Sequence, residues 1–342
     1  MYAASDQHWG IVLAGGEGQR LRDFIRLHWG SKRPKQYCTL IGGQSMLRHT
    51  LARAERLLSP ERLLTIVSRE HLGYAREELY DRPPGTVIVQ PGNRGTAPGI
   101  LLPLLHVYQR DPDAIVTLLP SDHFIVEEER LMAAVGEAAR VVASHPGRLV
   151  VLGVEPDRPE TEYGWIEVGE RLDLEHRQRP FRRSSADLLP SHMDDTDRRS
   201  GTWLYRVMSF CEKPRLHAAK ALYRSGCLWN TLILTGKVWM LLLLFQMLTP
   251  QLFLRFQQIQ PVLGERGEAE ALQKIYGRLH TINFSEAILT RSVEVLTVLR
   301  VTEIYWSDWG NPEQVSKDVA RFALTSQHEP ALHRSPSLAV PD

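Results

Sequence analysis

The sequence predicts an α/β protein: a doubly wound, mostly parallel sheet with helices on both faces, of the Rossmann-like kind. Three observations predict it. Short apolar runs rich in β-branched residues alternate with amphipathic stretches along the first half of the chain, the pattern of a parallel sheet covered on both sides. The first run, Ile11-Val12-Leu13-Ala14, ends in three glycines, Gly15, Gly16 and Gly18, with Arg20 close behind. The 342 residues, 43% hydrophobic, suffice for one large core or two smaller ones.

Each element follows from its residues. The run up to Ala14 is bounded by glycine and reads as a buried strand. From Ser45 to Leu58, residues Met46, Leu47, Thr50, Leu51, Ala54 and Leu57-Leu58 share one helical face. Leu63 to Val67 and Thr86 to Val89 read as strands, Gly99 to Tyr108 as a helix and Ala114 to Leu119 as a further strand. Leu131 to Ser144 is a helix and Leu149 to Val154 a strand. The apolar run Val238 to Phe245 is too short to span a bilayer and predicts a buried helix. Between Glu170 and Ser200 the chain is rich in Arg, Asp and Ser without apolar periodicity, so an insertion of solvated loop is expected at 170–200. Residues 1–324 are then one domain and 325–342, with three prolines and no pattern, a flexible tail.

The glycine stretch carries chemistry. Glycines directly after a buried strand let backbone N–H groups approach a phosphate, and a neighbouring cation completes an anion site. The common fingerprints do not fit: a dinucleotide pattern from Gly16 would need glycine where Leu21 stands, and no lysine follows the second glycine as a phosphate-loop NTPase requires. A dinucleotide-dependent oxidoreductase is disfavoured accordingly. An ordinary strand-to-helix turn would explain these residues equally well taken alone.

Composition narrows the partners. A net charge of +1 gives no electrostatic case for nucleic acid or an anionic membrane. The three cysteines, Cys38, Cys211 and Cys227, lie far apart without a C-x-x-C pair, so reduced thiols and a cytoplasmic setting are expected. Oligomeric state, including a homo-oligomer, is left open.

Further polar segments interrupt the apolar pattern: Lys32-Arg33-Pro34-Lys35-Gln36, Gln90 to Pro98, Pro120-Ser121-Asp122-His123, Pro159 to Gly164, Glu212-Lys213-Pro214, Trp229-Asn230-Thr231 and Trp306-Ser307-Asp308-Trp309-Gly310. Any one could be a turn. In this order, together with the glycine loop, they resemble the bacterial mannose-1-phosphate guanylyltransferases, within the sugar-1-phosphate nucleotidyltransferases. The resemblance runs from about Trp9 to Asn311. Three positions depart from it: Gly95 stands where the family has Asn, Glu162 where it has Gly, and Thr231-Leu232 where it has Ser-Gly. The spacer from Arg22 to Ser31 is also longer than usual.

The resemblance implies transfer of a nucleotidyl group from an NTP, GTP foremost, to a sugar 1-phosphate, mannose 1-phosphate foremost, with release of pyrophosphate. It implies that Ala14, Gly15, Gly16, Gly18, Gln90, Asn93 and Thr96 bind the nucleotide. Arg20 would clamp the β- and γ-phosphates, and Lys35 would touch phosphate oxygens. Lys213 would hold the sugar phosphate, with Tyr163, Gly164, Glu212 and Asn230 around the sugar. Asp122 and Asp308 would share one Mg²⁺. His123 is as readily a structural histidine. Another NTP or hexose 1-phosphate, or a catalytically silent paralogue that binds nucleotide sugar and regulates a partner, remains the alternative.

Overall fold

The strand His8–Ala14 (β1) is buried on both sides and lies between Leu63–Ser68 (β2) and Ile115–Pro120 (β4), parallel to each. Val87–Gln90 (β3) adds a fourth parallel strand beside β2. This computed structural model describes residues 7–30, 32–172 and 203–322. All but the first three residues of the expected insertion, and the whole of the expected tail, lie outside them.

Beyond β4 the sheet is mixed, which corrects the expectation of a mostly parallel one. Nine strands run in the order β3-β2-β1-β4-β9-β6-β10-β8-β7. Here Phe124–Ile125 is β5, Leu149–Val154 β6, Gly164–Arg171 β7, Trp203–Glu212 β8, Leu228–Lys237 β9, Leu296–Val301 β10 and Trp306–Ser307 β11. β9 runs antiparallel to both β4 and β6, and β8 antiparallel to β10 and β7; only β6 and β10 restore a parallel pair. Parallel neighbours need a crossover, usually a helix. That strand–helix alternation stops after β6, and β7 and β8 pair directly. Direction was not readable from burial, because β9 is as apolar on both faces as a parallel strand.

Helices cover both faces, as expected. Alternate residues of β1 feed opposite cores: Ile11 belongs to the one that includes Ile100, Leu241, Phe253 and Phe284, and Val12 to the one that includes Leu47, Ala75, Val135 and Ala219. The first core lies under Thr96–Arg110 (α4), Val238–Leu248 (α7), Pro250–Gln257 (α8), Glu268–Tyr276 (α9) and Phe284–Ala287 (α10). The second lies under Met46–Ala54 (α2), Leu72–Glu78 (α3), Glu128–Ser144 (α5) and Leu216–Arg224 (α6). No single helix among the described residues is long and apolar enough to cross a membrane.

A third, smaller cluster positions the site. Leu21 and Ile25, at and after the glycine loop, pack with Cys38, Leu40, Met46, Trp309 and Val315. The long spacer folds as a helix, Arg22–Trp29 (α1), and the chain's last described helix is Pro312–Phe322 (α11). This packing ties the segment around Asp308 to the end of β1, across nearly the whole length of the sequence.

Candidate active site

Two adjoining cavities, of about 570 and 320 Å³, open beyond the carboxyl ends of β1, β3 and β4. Gly18, Asn93, Gly95, Asp122 and Thr281 line both. Ligands in open α/β sheets settle at this end of the strands. A larger cleft of about 960 Å³ lies against α2 and the start of α5, lined by neither the glycine loop nor Lys35.

Gln36, which was no candidate on sequence, braces the glycine loop. Its buried amide donates to the carbonyls of Ala14 (3.1 Å) and Gly16 (2.7 Å), and the Tyr37 hydroxyl donates to Ala14 as well (3.3 Å). Both residues follow Lys35, so one short segment fixes the loop and places a cation beside it.

Lys35 is almost fully buried, and a buried ammonium must be paired. Its Nζ contacts Asp122 Oδ2 at 2.9 Å and donates to the backbone carbonyls of Asp308 and Trp309. Three donors meet three acceptors. Lys35 therefore holds Asp122 and the 308–309 backbone together, and a phosphate could share it only by displacing one partner. Burial works to raise the Asp122 pKa, but Lys35, with His123 and Arg20, outweighs it and holds the carboxyl below its usual value. Arg20 lies between two carboxylates, 3.2 Å from Glu162 and 3.5 Å from Asp308. A Cβ at Gly310 would stand 2.8 Å from both Asp308 oxygens and 3.0 Å from Arg20 Nη1, so those two side chains would have to shift to admit it. The Gly310 N–H donates to Asp308 Oδ1 at 2.7 Å. Burial lowers the His123 pKa to about 4, so the ring is neutral; its Nδ1 accepts from Trp306 Nε1 at 3.3 Å.

On the nucleotide side, Gln90 is buried at the end of β3 and accepts from the Tyr276 hydroxyl at 3.2 Å. Asn93 turns its carbonyl oxygen back to the Gly95 N–H (2.9 Å), and the Thr96 hydroxyl accepts from Phe284 N (2.8 Å). Gly95 has a positive φ of 85°, and a Cβ there would collide with the Ile282 carbonyl. Any side chain at that position, asparagine included, is shut out by the 281–283 segment. Ile282 bonds through its backbone to Arg94 and Ala97, and Thr281 and Asn283 line the cavity instead.

The expected sugar side adjoins this cluster. Tyr163 is buried among Trp229 and Trp306, with its hydroxyl 3.3 Å from Ser307 Oγ, next to Asp308. Gly164 lies against Glu212 and Asn230. Burial raises the Glu212 pKa, with Glu286 and Asp308 adding to the effect against Lys213. Lys213, half exposed, sits in a left-handed conformation (φ 46°), its N–H bonded to the Tyr163 carbonyl at 3.2 Å. Leu232 is also left-handed, with φ 57°, where the family has glycine. The Thr231 hydroxyl bonds the Leu152 carbonyl at 2.7 Å, tying β9 to β6.

The structure thus lines the two cavities with Gly15, Gly16, Gly18, Arg20, Lys35, Gln90, Asn93, Thr96 and Asp122, and Arg20 and Lys35 join Asp308 to them, whereas Ala14, Tyr163, Gly164, Glu212, Lys213 and Asn230 line neither cavity. Sequence reasoning missed Gln36, the 281–283 segment and the Glu162 contact. Gln36 belongs to the Pro34-Lys35-Gln36 segment that carries the resemblance but was given no role there, and nothing local marked Thr281.

Fold and site define a class: an α/β protein whose glycine loop meets a cluster of buried and half-buried charges at the carboxyl end of parallel strands. The sequence profile of the nucleotidyl transferase family matches residues 9–322, and the chain belongs to that family. It is 31% identical over 224 residues to the xanthan biosynthesis protein XanB of Xanthomonas campestris, covering 65% of this chain and 40% of that one. It is 30% identical over 233 residues to the mannose-1-phosphate guanylyltransferase of Escherichia coli K12, covering 67% and 42%. The matched region therefore spans well under half the length of these relatives. A solved Thermus thermophilus structure, described as a mannose-1-phosphate geranyltransferase, superposes with a TM-score of 0.69 at 26% identity, over 89% of this chain and 77% of that one.

Proposed function

We propose that this cleft transfers a nucleotidyl group from an NTP to a sugar 1-phosphate. One observation carries the reading: Arg20, Lys35, Asp122 and Asp308, from four separate segments, meet within a few ångströms beside the glycine loop. An oxygen of the sugar phosphate attacks the α-phosphorus of the NTP; a new P–O bond forms, the bond to the bridging oxygen breaks, and pyrophosphate leaves with the electron pair. The attacking oxygen is already anionic, so no general base is needed. The demand on the protein is to bring two polyanions together and stabilise charge.

The residues divide that work. The glycine loop, held by Gln36, presents backbone N–H groups to phosphate. Arg20 is the fork for the β- and γ-phosphates, and Lys213 faces the sugar phosphate. Glu212 and Asn230 are the sugar-side acceptors. Asp122 and Asp308 would offer carboxylate oxygens to a divalent cation such as Mg²⁺, in competition with the cations they now face, Lys35 and Arg20 respectively. Among the described residues no group of three or more His, Cys, Asp or Glu is clustered, so phosphate oxygens and water would complete the shell, as Mg²⁺ prefers. When bound, the ion supplies charge neutralisation at the phosphoryl oxygens.

Relatives at about 30% identity that are known as mannose-1-phosphate guanylyltransferases support GTP and mannose 1-phosphate as the substrates. A matrix of the common NTPs against several sugar 1-phosphates, scored by pyrophosphate release, tests this. GTP should exceed the other NTPs at least about tenfold in kcat/KM. A better result with ATP or dTTP by that margin rejects the guanylyl assignment, and no release with any pair rejects the reaction itself.

A further inference from the structure

Glu162 stands where the resembled family has glycine, and its carboxylate lies 3.2 Å from Arg20 Nη1. Its backbone is held independently of its side chain. Glu160 Oε1 accepts from the Thr161 and Glu162 N–H groups at 2.9 and 3.2 Å, the Glu160 carbonyl accepts from Trp165 Nε1 at 2.9 Å, and Arg158 pairs with the Glu160 carboxylate at 3.2 Å. The loop therefore aims a carboxylate at the arginine that lines the cavity beside the glycine loop. Both side chains remain about half exposed, at 52% and 48%, so the pair can part without opening the fold.

We propose that Glu162 is a positioning residue that competes with polyphosphate for Arg20: it parks the guanidinium in the empty cleft, yields it to the NTP, and retakes it as pyrophosphate leaves. The inference rests on the reading of Arg20 as the triphosphate clamp. Physically it is an exchange of anions on one cation. The carboxylate gives Arg20 a partner when no phosphate is present, and its charge opposes any polyanion that stays. An exposed ion pair of this kind is worth at most about 1 kcal/mol, roughly fivefold in an equilibrium constant. That is enough to loosen a product without abolishing binding of the substrate.

The test is a double-mutant cycle in the full chain, reading calorimetric Kd values for GTP and for pyrophosphate with Mg²⁺ and no sugar phosphate. E162Q and Glu162→Gly should each bind both ligands about fivefold more tightly, and pyrophosphate should become a correspondingly stronger product inhibitor. Glu162→Asp should return towards wild-type values. In the Arg20→Ala background E162Q should keep only the small gain from removing its own charge, well short of fivefold. Unaltered affinities in E162Q and Glu162→Gly, with Arg20→Ala weakening both ligands, overturn the role of Glu162 alone. Unaltered affinity in Arg20→Ala overturns the assignment of Arg20 on which it rests.

Discussion

Asp122 and Asp308 show how much a single side chain carries here, because each is paired with a different cation before any substrate arrives. Asparagine at either position keeps the volume and removes the charge. Turnover should fall by about 10²- to 10³-fold, in the range seen when a preorganised electrostatic partner is lost; Tm should change little in Asp308→Asn, whose partner Arg20 is half exposed, and fall in Asp122→Asn, which leaves the buried Lys35 ammonium without its counter-ion. Pyrophosphate release and a thermal melt check both halves; near wild-type turnover in Asp308→Asn with Mg²⁺ present would remove that residue from the site. Lys35 is a different case. It was expected to touch phosphate, yet its three donors are already satisfied by Asp122 and two backbone carbonyls. That engagement depends on residues about 90 and 270 positions away, which no local pattern announces.

In the proposed reaction, loops at strand ends rather than strands would divide the substrates. Arg20 follows the glycine loop of β1, whereas Lys213 follows β8 with its N–H bonded to the Tyr163 carbonyl. Lys213→Ala should therefore raise KM for the sugar 1-phosphate at least about tenfold with little change in NTP Kd, the loss of one charge-assisted hydrogen bond. Arg20→Ala should do the reverse, and titration of NTP binding to both variants decides it; equal losses would refute the division. The loop after β3 gives a test of stability instead. Gly95→Asn restores the residue usual in the family, but its Cβ would meet the Ile282 carbonyl. Asparagine tolerates the positive φ better than most residues, so the clash is the larger cost. A loss of about 1–3 kcal/mol is expected, read as a lowered denaturation midpoint. An unchanged midpoint would show that the 281–283 segment gives way freely.

Across the whole sheet, one buried histidine sets a pH dependence. His8 bonds Thr117 Oγ1 at 2.8 Å, which bonds Thr235 Oγ1 at 2.8 Å, a chain running through β1, β4 and β9. Burial lowers its pKa from 6.5 to about 4. The unfolded chain therefore takes up a proton that the folded chain refuses. The resulting stability is fully present above pH 6.5 and is lost as pH falls from there towards 4, at about 1.4 kcal/mol per unit and roughly 3 kcal/mol in all. His8→Gln should reduce the slope in denaturant titrations from pH 7 to 4 by the share of His8, leaving that of His123, whose pKa burial also lowers to about 4, and an unchanged slope would place the acid sensitivity elsewhere.

The sequence by itself determined the family to which the chain belongs and that helices cover both faces of a sheet. Buried strands, glycine turns and amphipathic helices are local signals, and the ordered polar segments are chemically unusual enough to stand out. Strand Leu149–Val154 matches the sequence reading at both ends, and the helix expected from Gly99 begins at Thr96. Only the tertiary structure decided strand direction beyond β6, because a strand buried on both faces has the same apolar pattern whichever way it runs. It also decided which charges meet. Glu162 and Arg20 are 142 residues apart, and Lys35 and Asp308 are 273 apart. Such contacts arise from packing between distant segments, here the small cluster of Leu21, Ile25 and Trp309, and packing at that range leaves no period in the sequence to read.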